Sequence, residues 1–223
     1  MPNFKIPVIL LSAIMTLPAC TATDEYGNKR RLTDTEKGAI IGATLGALAG
    51  HNTRSTKKRV LYGVLGGIAG AGVGNYMDTQ KKDFEKNLKN EIDRGDVIIE
   101  RLPENLLMVT MSSESSFDVN STTIKPNFKS TLGRIAKIVN KYGKTHLSLV
   151  GHTDSTGSKS YNQRLSEQRA AAIQTYFRSL KVIPERMTVY GMGEGKPRAS
   201  NTNVLGRKQN RRVEIIIEPL IEK

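Results

Sequence analysis

Thr145-His146-Leu147-Ser148-Leu149-Val150-Gly151-His152-Thr153-Asp154 and, eight residues on, Asn162-Gln163-Arg164-Leu165-Ser166-Glu167-Gln168-Arg169-Ala170 are the stretch on which the fold turns. His146 to Val150 reads as a strand. Residues 160–180 then change period, because Leu165, Ala172, Ile173, Tyr176 and Leu180 share one stripe at helical spacing. Upstream, Ile124, Phe128, Leu132, Ile135 and Val139 step by three or four through 124–141, and Pro126 suits a first helical turn. Before them, Val97-Ile98-Ile99-Glu100 and Leu106 to Met111 read as strands flanking a Pro103-Glu104-Asn105 turn. Downstream, Met187 to Tyr190 is short and strand-like, and Val213, Ile215 and Ile217 alternate with Glu214 and Glu218, a strand with one buried face. The order ββαβαββ over 96–223 predicts an α+β domain with its helices on one side of a small mixed sheet.

The N-terminus predicts the compartment. Lys5 and the apolar run Ile6 to Met15 precede Leu17-Pro18-Ala19-Cys20, the pattern of a signal peptide over 1–19. That run is too short for a membrane span, which needs about 20 residues. Cys20 is the only cysteine, so no internal disulfide framework exists, and it stands at the cleavage position. Residues 17–20 resemble the lipobox of bacterial lipoproteins, which implies acylation of Cys20; Thr21 after it favours the outer membrane. The formal charge of +13 is uneven: the first 19 residues carry +1, 38–77 carry +4, 96–144 carry +2 and 145–223 carry +6. That distribution does not fit a disordered polycation, and export does not fit a nucleic-acid partner.

After a charge-balanced polar linker (20–37), Gly38, Gly42, Gly46 and Gly50 recur every four residues. Gly66, Gly70 and Gly74 repeat the spacing beyond a basic loop of Arg54, Lys57, Lys58 and Arg59. Glycines at that spacing line one helical face and let backbones approach closely. In water each costs about 1 kcal/mol against alanine. The expectation is a paired glycine-zipper helical hairpin over 38–77, either inserted in a membrane or self-associating as a homo-oligomer. Residues 78–95 read as a charged spacer helix that packs on a neighbour through a stripe of Phe84, Leu88 and Ile92.

Three sharper chemistries fail on context. Gly151-His152-Thr153-Asp154 has serines nearby, but no Gly-x-Ser-x-Gly elbow occurs. Three histidines without His-x-x-x-His spacing do not suggest a metal site, and none is expected. Gly191-Met192-Gly193-Glu194-Gly195-Lys196-Pro197 has proline where a phosphate loop needs Ser or Thr, so it reads as a turn. The anomaly is Arg169, in the middle of the apolar stripe. A buried arginine needs a carboxylate, from Asp154 in a structural ion pair or from a ligand.

Gly151-His152-Thr153-Asp154, the Asn162 to Ala170 run, Gly191-x-Gly193-Glu194-x-x-Pro197 and Gly206-Arg207-x-x-Asn210-Arg211-Arg212-Val213-Glu214-Ile215 together resemble the OmpA-like peptidoglycan-binding domain over about 105–218. With the lipobox and the zipper, the chain is similar to the YiaD-like outer-membrane lipoproteins. The resemblance implies a non-catalytic protein without cofactors, lipid-anchored in the outer membrane with its C-terminal domain in the periplasm. It also implies that this domain grips the diaminopimelate of peptidoglycan. Asp154 would take the ligand's ammonium and Arg169 its carboxylate, with Thr153 and Asn162 adding polar contacts; capping a helix is the other role open to Asn162. Asn210, Arg211 and Arg212 are expected to shape the rim, with no contact assigned. The competing expectation makes the zipper the active part, an oligomer or pore that the C-terminal domain merely tethers.

Overall fold

A computed structural model describes residues 67–221. The signal peptide, Cys20, the linker and the zipper up to Gly66 lie outside the described residues. The described chain forms helices α1 (Val73–Asn87) and α2 (Lys89–Asp93), strands β1 (Val97–Leu102) and β2 (Leu106–Ser112), and a single helical turn α3 (Ser113–Ser116). There follow helix α4 (Pro126–Lys141), strand β3 (Thr145–His152), helix α5 (Lys159–Ser179), strand β4 (Met187–Gly191), helix α6 (Val204–Asn210) and strand β5 (Arg212–Pro219). The sheet order is β1-β2-β5-β3-β4. Only β3 and β4 run parallel, joined by the α5 crossover; the other neighbours are antiparallel.

Period sets the core. Leu147 and Leu149 on β3, Val213, Ile215 and Ile217 on β5, and Leu107, Val109 and Met111 on β2 share one buried cluster with Phe128, Leu132, Ile135 and Val139 of α4 and Ala170, Ile173 and Phe177 of α5. α4 begins with proline at its first positions, where the missing N–H costs nothing. α5 is capped by Ser158, whose hydroxyl accepts from the Tyr161 N–H at 3.3 Å. No helix among the described residues is long and apolar enough to cross a membrane.

The start of the described chain is tied to its C-terminal strand. Ile68 forms a parallel bridge with Ile221, and its N–H donates to the Leu220 carbonyl at 2.6 Å. Residues Gly70–Gly72 make a 3-10 turn, and α1 then runs from the end of the zipper motif through most of the expected spacer. Ile68, Val73, Met77, Phe84 and Leu88 are buried in the same core as the sheet. The expected packing of this stripe on a neighbour is met by the core of the sheet, since most helical stability comes from burying such an apolar face. Leu88→Ala should therefore cost about 3 kcal/mol in chemical denaturation, as for a core leucine. A solvated spacer would leave the midpoint unchanged.

Candidate functional site

The site is built where β3 ends and α5 begins. Gly151 on β3 and Gly191 on β4 stand side by side in register. A Cβ at Gly151 would come within 2.6 Å of the Ser166 carbonyl carbon and closer still to its oxygen; one at Gly191 would meet Ser166 Oγ at 2.7 Å and the Glu167 N at 2.8 Å. Two paired glycines on adjacent strands thus let α5 lie almost on the backbone, with Asn162, Leu165, Ser166 and Arg169 on its buried face. Beyond Gly191 the chain turns through Gly193 at φ +49, and the Ser166 hydroxyl accepts the Gly193 N–H at 2.9 Å. The Thr153 N–H donates to the Gly193 carbonyl at 2.9 Å, which fixes the segment carrying Asp154.

Asp154 is buried. Its Oδ1 accepts the Thr156 N–H at 2.8 Å, and its Oδ2 meets Arg211 Nη1 at 2.5 Å. Arg211 also binds Glu114, which Lys208 approaches at 3.1 Å, so charge alternates along the chain Asp154, Arg211, Glu114, Lys208. Burial pushes the Asp154 carboxyl up, but the Arg211 guanidinium and the Thr156 N–H outweigh it and hold the group below its ordinary value. Asp154 is therefore an anion at every physiological pH.

Arg169 is only 4% exposed. Its Nε donates to the Ser121 carbonyl at 3.0 Å and its Nη2 to the Asp118 carbonyl at 3.4 Å, while its guanidinium stands 5.3 Å from the centre of the Phe117 ring. Among the described residues no carboxylate forms an ion pair with it, and its Nη1 has no hydrogen-bond partner. Burial lowers its pKa, with Tyr161 and Asp154 acting through space in the opposite direction. The Arg169–Asp154 ion pair considered from sequence is thus not formed. Arg211 takes that place.

Asn162 does not cap α5; Ser158 does. Its amide instead donates to the Asp154 carbonyl at 3.2 Å and to Glu194 Oε2 at 2.6 Å, tying the strand end to the Gly193 turn. The Thr153 hydroxyl is buried without a hydrogen-bond partner. The sequence reading missed Arg211, to which it gave no contact. The signal lay in topology: β3 and β5 are antiparallel with His152 opposite Arg212, so the residue before Arg212 falls beside the residues after His152. His152 faces Glu214, 3.3 Å away, and Arg212 binds the same carboxylate at 2.7 Å. Burial, followed by Arg212, lowers the His152 pKa, so the ring stays neutral. With His152 on Glu214 and Asp154 on Arg211, the His–Asp contact of a hydrolase triad is not made.

The OmpA family profile matches residues 116–211, which include Asp154, Asn162, Arg169 and Arg211, and a YMGG-like glycine-zipper profile matches residues 1–78. The probable lipoprotein YiaD of Escherichia coli is 35% identical over 95% of this chain and 95% of its own length. The chain belongs to the YiaD-like family of OmpA-domain lipoproteins. Other relatives share the C-terminal part alone. The peptidoglycan-associated lipoprotein of Rhizobium meliloti is 33% identical over 49% of this chain and 62% of its own. The outer-membrane lipoprotein YfiB of Pseudomonas aeruginosa is 38% identical over 48% of this chain and 64% of its own. Among solved structures, the cell wall anchor of the type VI secretion system of P. aeruginosa superposes with a TM-score of 0.56 at 27% identity, covering 61% of this chain and 96% of its own. A MotB-like protein of Desulfovibrio vulgaris gives 0.57 at 21% identity, over 66% and 95%, and shares the fold. In this YiaD-like chain the resolved site is the strand end and helix start just described, with α1 and α2 added to the OmpA-type core.

Proposed function

We propose that this chain is a lipid-anchored protein of the outer membrane, with its C-terminal domain in the periplasm, that non-covalently grips the diaminopimelate of peptidoglycan. The observation that carries the proposal is Arg169: a buried cation held only by two carbonyls and an aromatic face, with no carboxylate among the described residues. A buried guanidinium without an anion is costly, and an incoming carboxylate removes that cost through two parallel hydrogen bonds. Asp154, held ionised beside Arg211, supplies the anion for an ammonium. The free end of diaminopimelate carries both groups on one carbon. Thr153, with its unpartnered hydroxyl, contributes a polar contact, and Asn162 holds the Asp154 segment in place.

The family names support the reading, since one relative is a peptidoglycan-associated lipoprotein and one structural neighbour a cell wall anchor. So does polarity. The described chain begins at Gly67, whose carbonyl accepts from Lys144 Nζ at 3.0 Å, next to the start of β3. The site stands at the other end of that eight-residue strand, about 26 Å away. The described chain thus starts at the pole of the domain opposite the site, an arrangement that suits a link between membrane and wall.

The chain from Thr21 onward, which lacks the acylation site, should sediment with sacculi of the diaminopimelate type and be released by free diaminopimelate. Sacculi whose stem peptides carry lysine lack the second carboxylate and should retain little. Equal retention on both would refute the zwitterion site.

A further inference from the structure

Asp154 paired with Arg211 alone would be neutral, with little left to attract an ammonium ion. In the structure Arg211 is shared. Its Nη1 meets Asp154 Oδ2 at 2.5 Å while its Nη2 bonds Glu114 Oε1, so each arm of the guanidinium serves a different carboxylate. The parallel fork that a guanidinium makes with a single carboxylate is therefore not closed on Asp154, whose other oxygen accepts the Thr156 N–H. Two carboxylates on one guanidinium leave the trio with a net negative charge. Lys208 stands 3.1 Å from Glu114 Oε2, but its side chain is 55% exposed, so water screens most of its charge.

Local chemistry holds Glu114 in that place. Ser112 caps the turn α3, its hydroxyl accepting the Glu114 N–H at 3.2 Å, and Lys125 Nζ donates to the Glu114 carbonyl at 2.8 Å. The Ser113 N–H donates to the Arg211 carbonyl at 3.0 Å, so backbone as well as side chain fixes the turn against Arg211. The same segment then runs directly to the cationic end of the site. The Phe117 ring faces the Arg169 guanidinium, and the Asp118 and Ser121 carbonyls accept from it. One short stretch, 114–121, thus stands beside both charges, although β3 leads into one of them and α5 carries the other. Burial pushes the Glu114 carboxyl up, but Arg211 and Lys208 outweigh it and hold the group below its ordinary value, an anion at neutral pH.

We propose that Glu114 is a positioning residue of this site: by holding one arm of Arg211 it keeps Asp154 a net anion, and so makes the site select a ligand that carries an ammonium. This rests on the reading of Asp154 and Arg169 as a zwitterion site, and adds that its selectivity is set by a residue that does not touch the ligand. Without the Glu114 charge, Arg211 turns wholly to Asp154 and the pair neutralises itself. The carboxylate contact at Arg169 remains, so the advantage of a zwitterion over a plain carboxylate shrinks.

The test is competitive release of the full-length chain, in mild detergent, from diaminopimelate-type sacculi. The two competitors are free diaminopimelate and pimelate, the same dicarboxylate without its ammonium groups. Wild type should be released by far less diaminopimelate than pimelate. Glu114→Gln keeps an oxygen that accepts from Arg211 and removes only the charge. It should shrink the ratio of the two half-release concentrations by about threefold to tenfold, the effect of one partly screened charge, without raising that of pimelate. Lys208→Gln removes the outer cation, leaves the Arg211 contact in place, and should widen the ratio. If Glu114→Gln lowers the melting temperature, Lys208→Gln decides by the same ratio. A wild-type ratio in both variants overturns the proposal and leaves the zwitterion reading standing. An equal rise in both concentrations makes Glu114 merely structural, and the proposal fails. A wild type that does not prefer diaminopimelate over pimelate removes the zwitterion reading itself, and the role of Glu114 with it.

Discussion

Arg169→Ala is expected to lower affinity for diaminopimelate-type sacculi by roughly 100-fold to 10,000-fold, measured as a binding isotherm of the chain from Thr21. The size follows from two charge-assisted hydrogen bonds at about 1.5–3 kcal/mol each, where every 1.4 kcal/mol is tenfold. Arg169 also donates to Ser121 and Asp118, so truncation risks loosening the loop before α4. Arg169→Lys separates the two effects. Lysine keeps the charge but not the planar fork, so it should recover only part of the binding while the melting temperature stays near wild type. Asp154→Asn should weaken binding as well, and it leaves Arg211 with Glu114 as its remaining anion. Because Asp154 titrates below its ordinary value, its deprotonated form persists as pH falls, so wild-type binding should hold from pH 7 to about pH 5. If Arg169→Ala and Arg169→Lys bind as wild type, the ligand carboxylate goes elsewhere and the site assignment is wrong.

Much of this was legible in the sequence because the signals were periodic. The α4 and α5 stripes, the alternation of Val213, Ile215 and Ile217, and the strand before Gly151 are one-dimensional patterns that determine their own burial. Arg169 was legible as an anomaly for the same reason, an arginine at a position where the period demands an apolar residue. Its partners were not. Whether Asp154 pairs with Arg169 or Arg211 depends on β5 lying between β2 and β3, a long-range choice that local patterns do not encode. The glycines failed in a different way. Gly191-x-Gly193 has the look of a turn, and Gly193 is one, but Gly191 is selected by the approach of α5 from 28 positions upstream, where Gln163 Nε2 donates to its carbonyl at 2.8 Å. The apolar stripe of residues 78–95 marked a packing face, but which neighbour it meets is a long-range choice that the stripe does not encode.

Gly151→Ala should be a severely damaging single-methyl change, costing more than about 3 kcal/mol and abolishing ligand binding with it. Overpacking a core usually costs about 1–3 kcal/mol when side chains can shift. Here the obstructing atoms are backbone, the carbonyl of Ser166 in the second turn of α5, and the added carbon would stand 2.6 Å from its carbon. Relief therefore requires α5 to move as a body. α5 carries Asn162 and Arg169, whereas Asp154 follows β3, so the displacement separates the two charges that a zwitterion must bridge. A control of opposite sign lies in α4. Gly133 is helical and a Cβ there would meet nothing within 4 Å, so Gly133→Ala should stabilise the domain by about 1 kcal/mol through helix propensity alone. Both substitutions add the same methyl group to the same fold. If denaturant midpoints move together rather than in opposite directions, the close approach of α5 to β3 is not what holds the site.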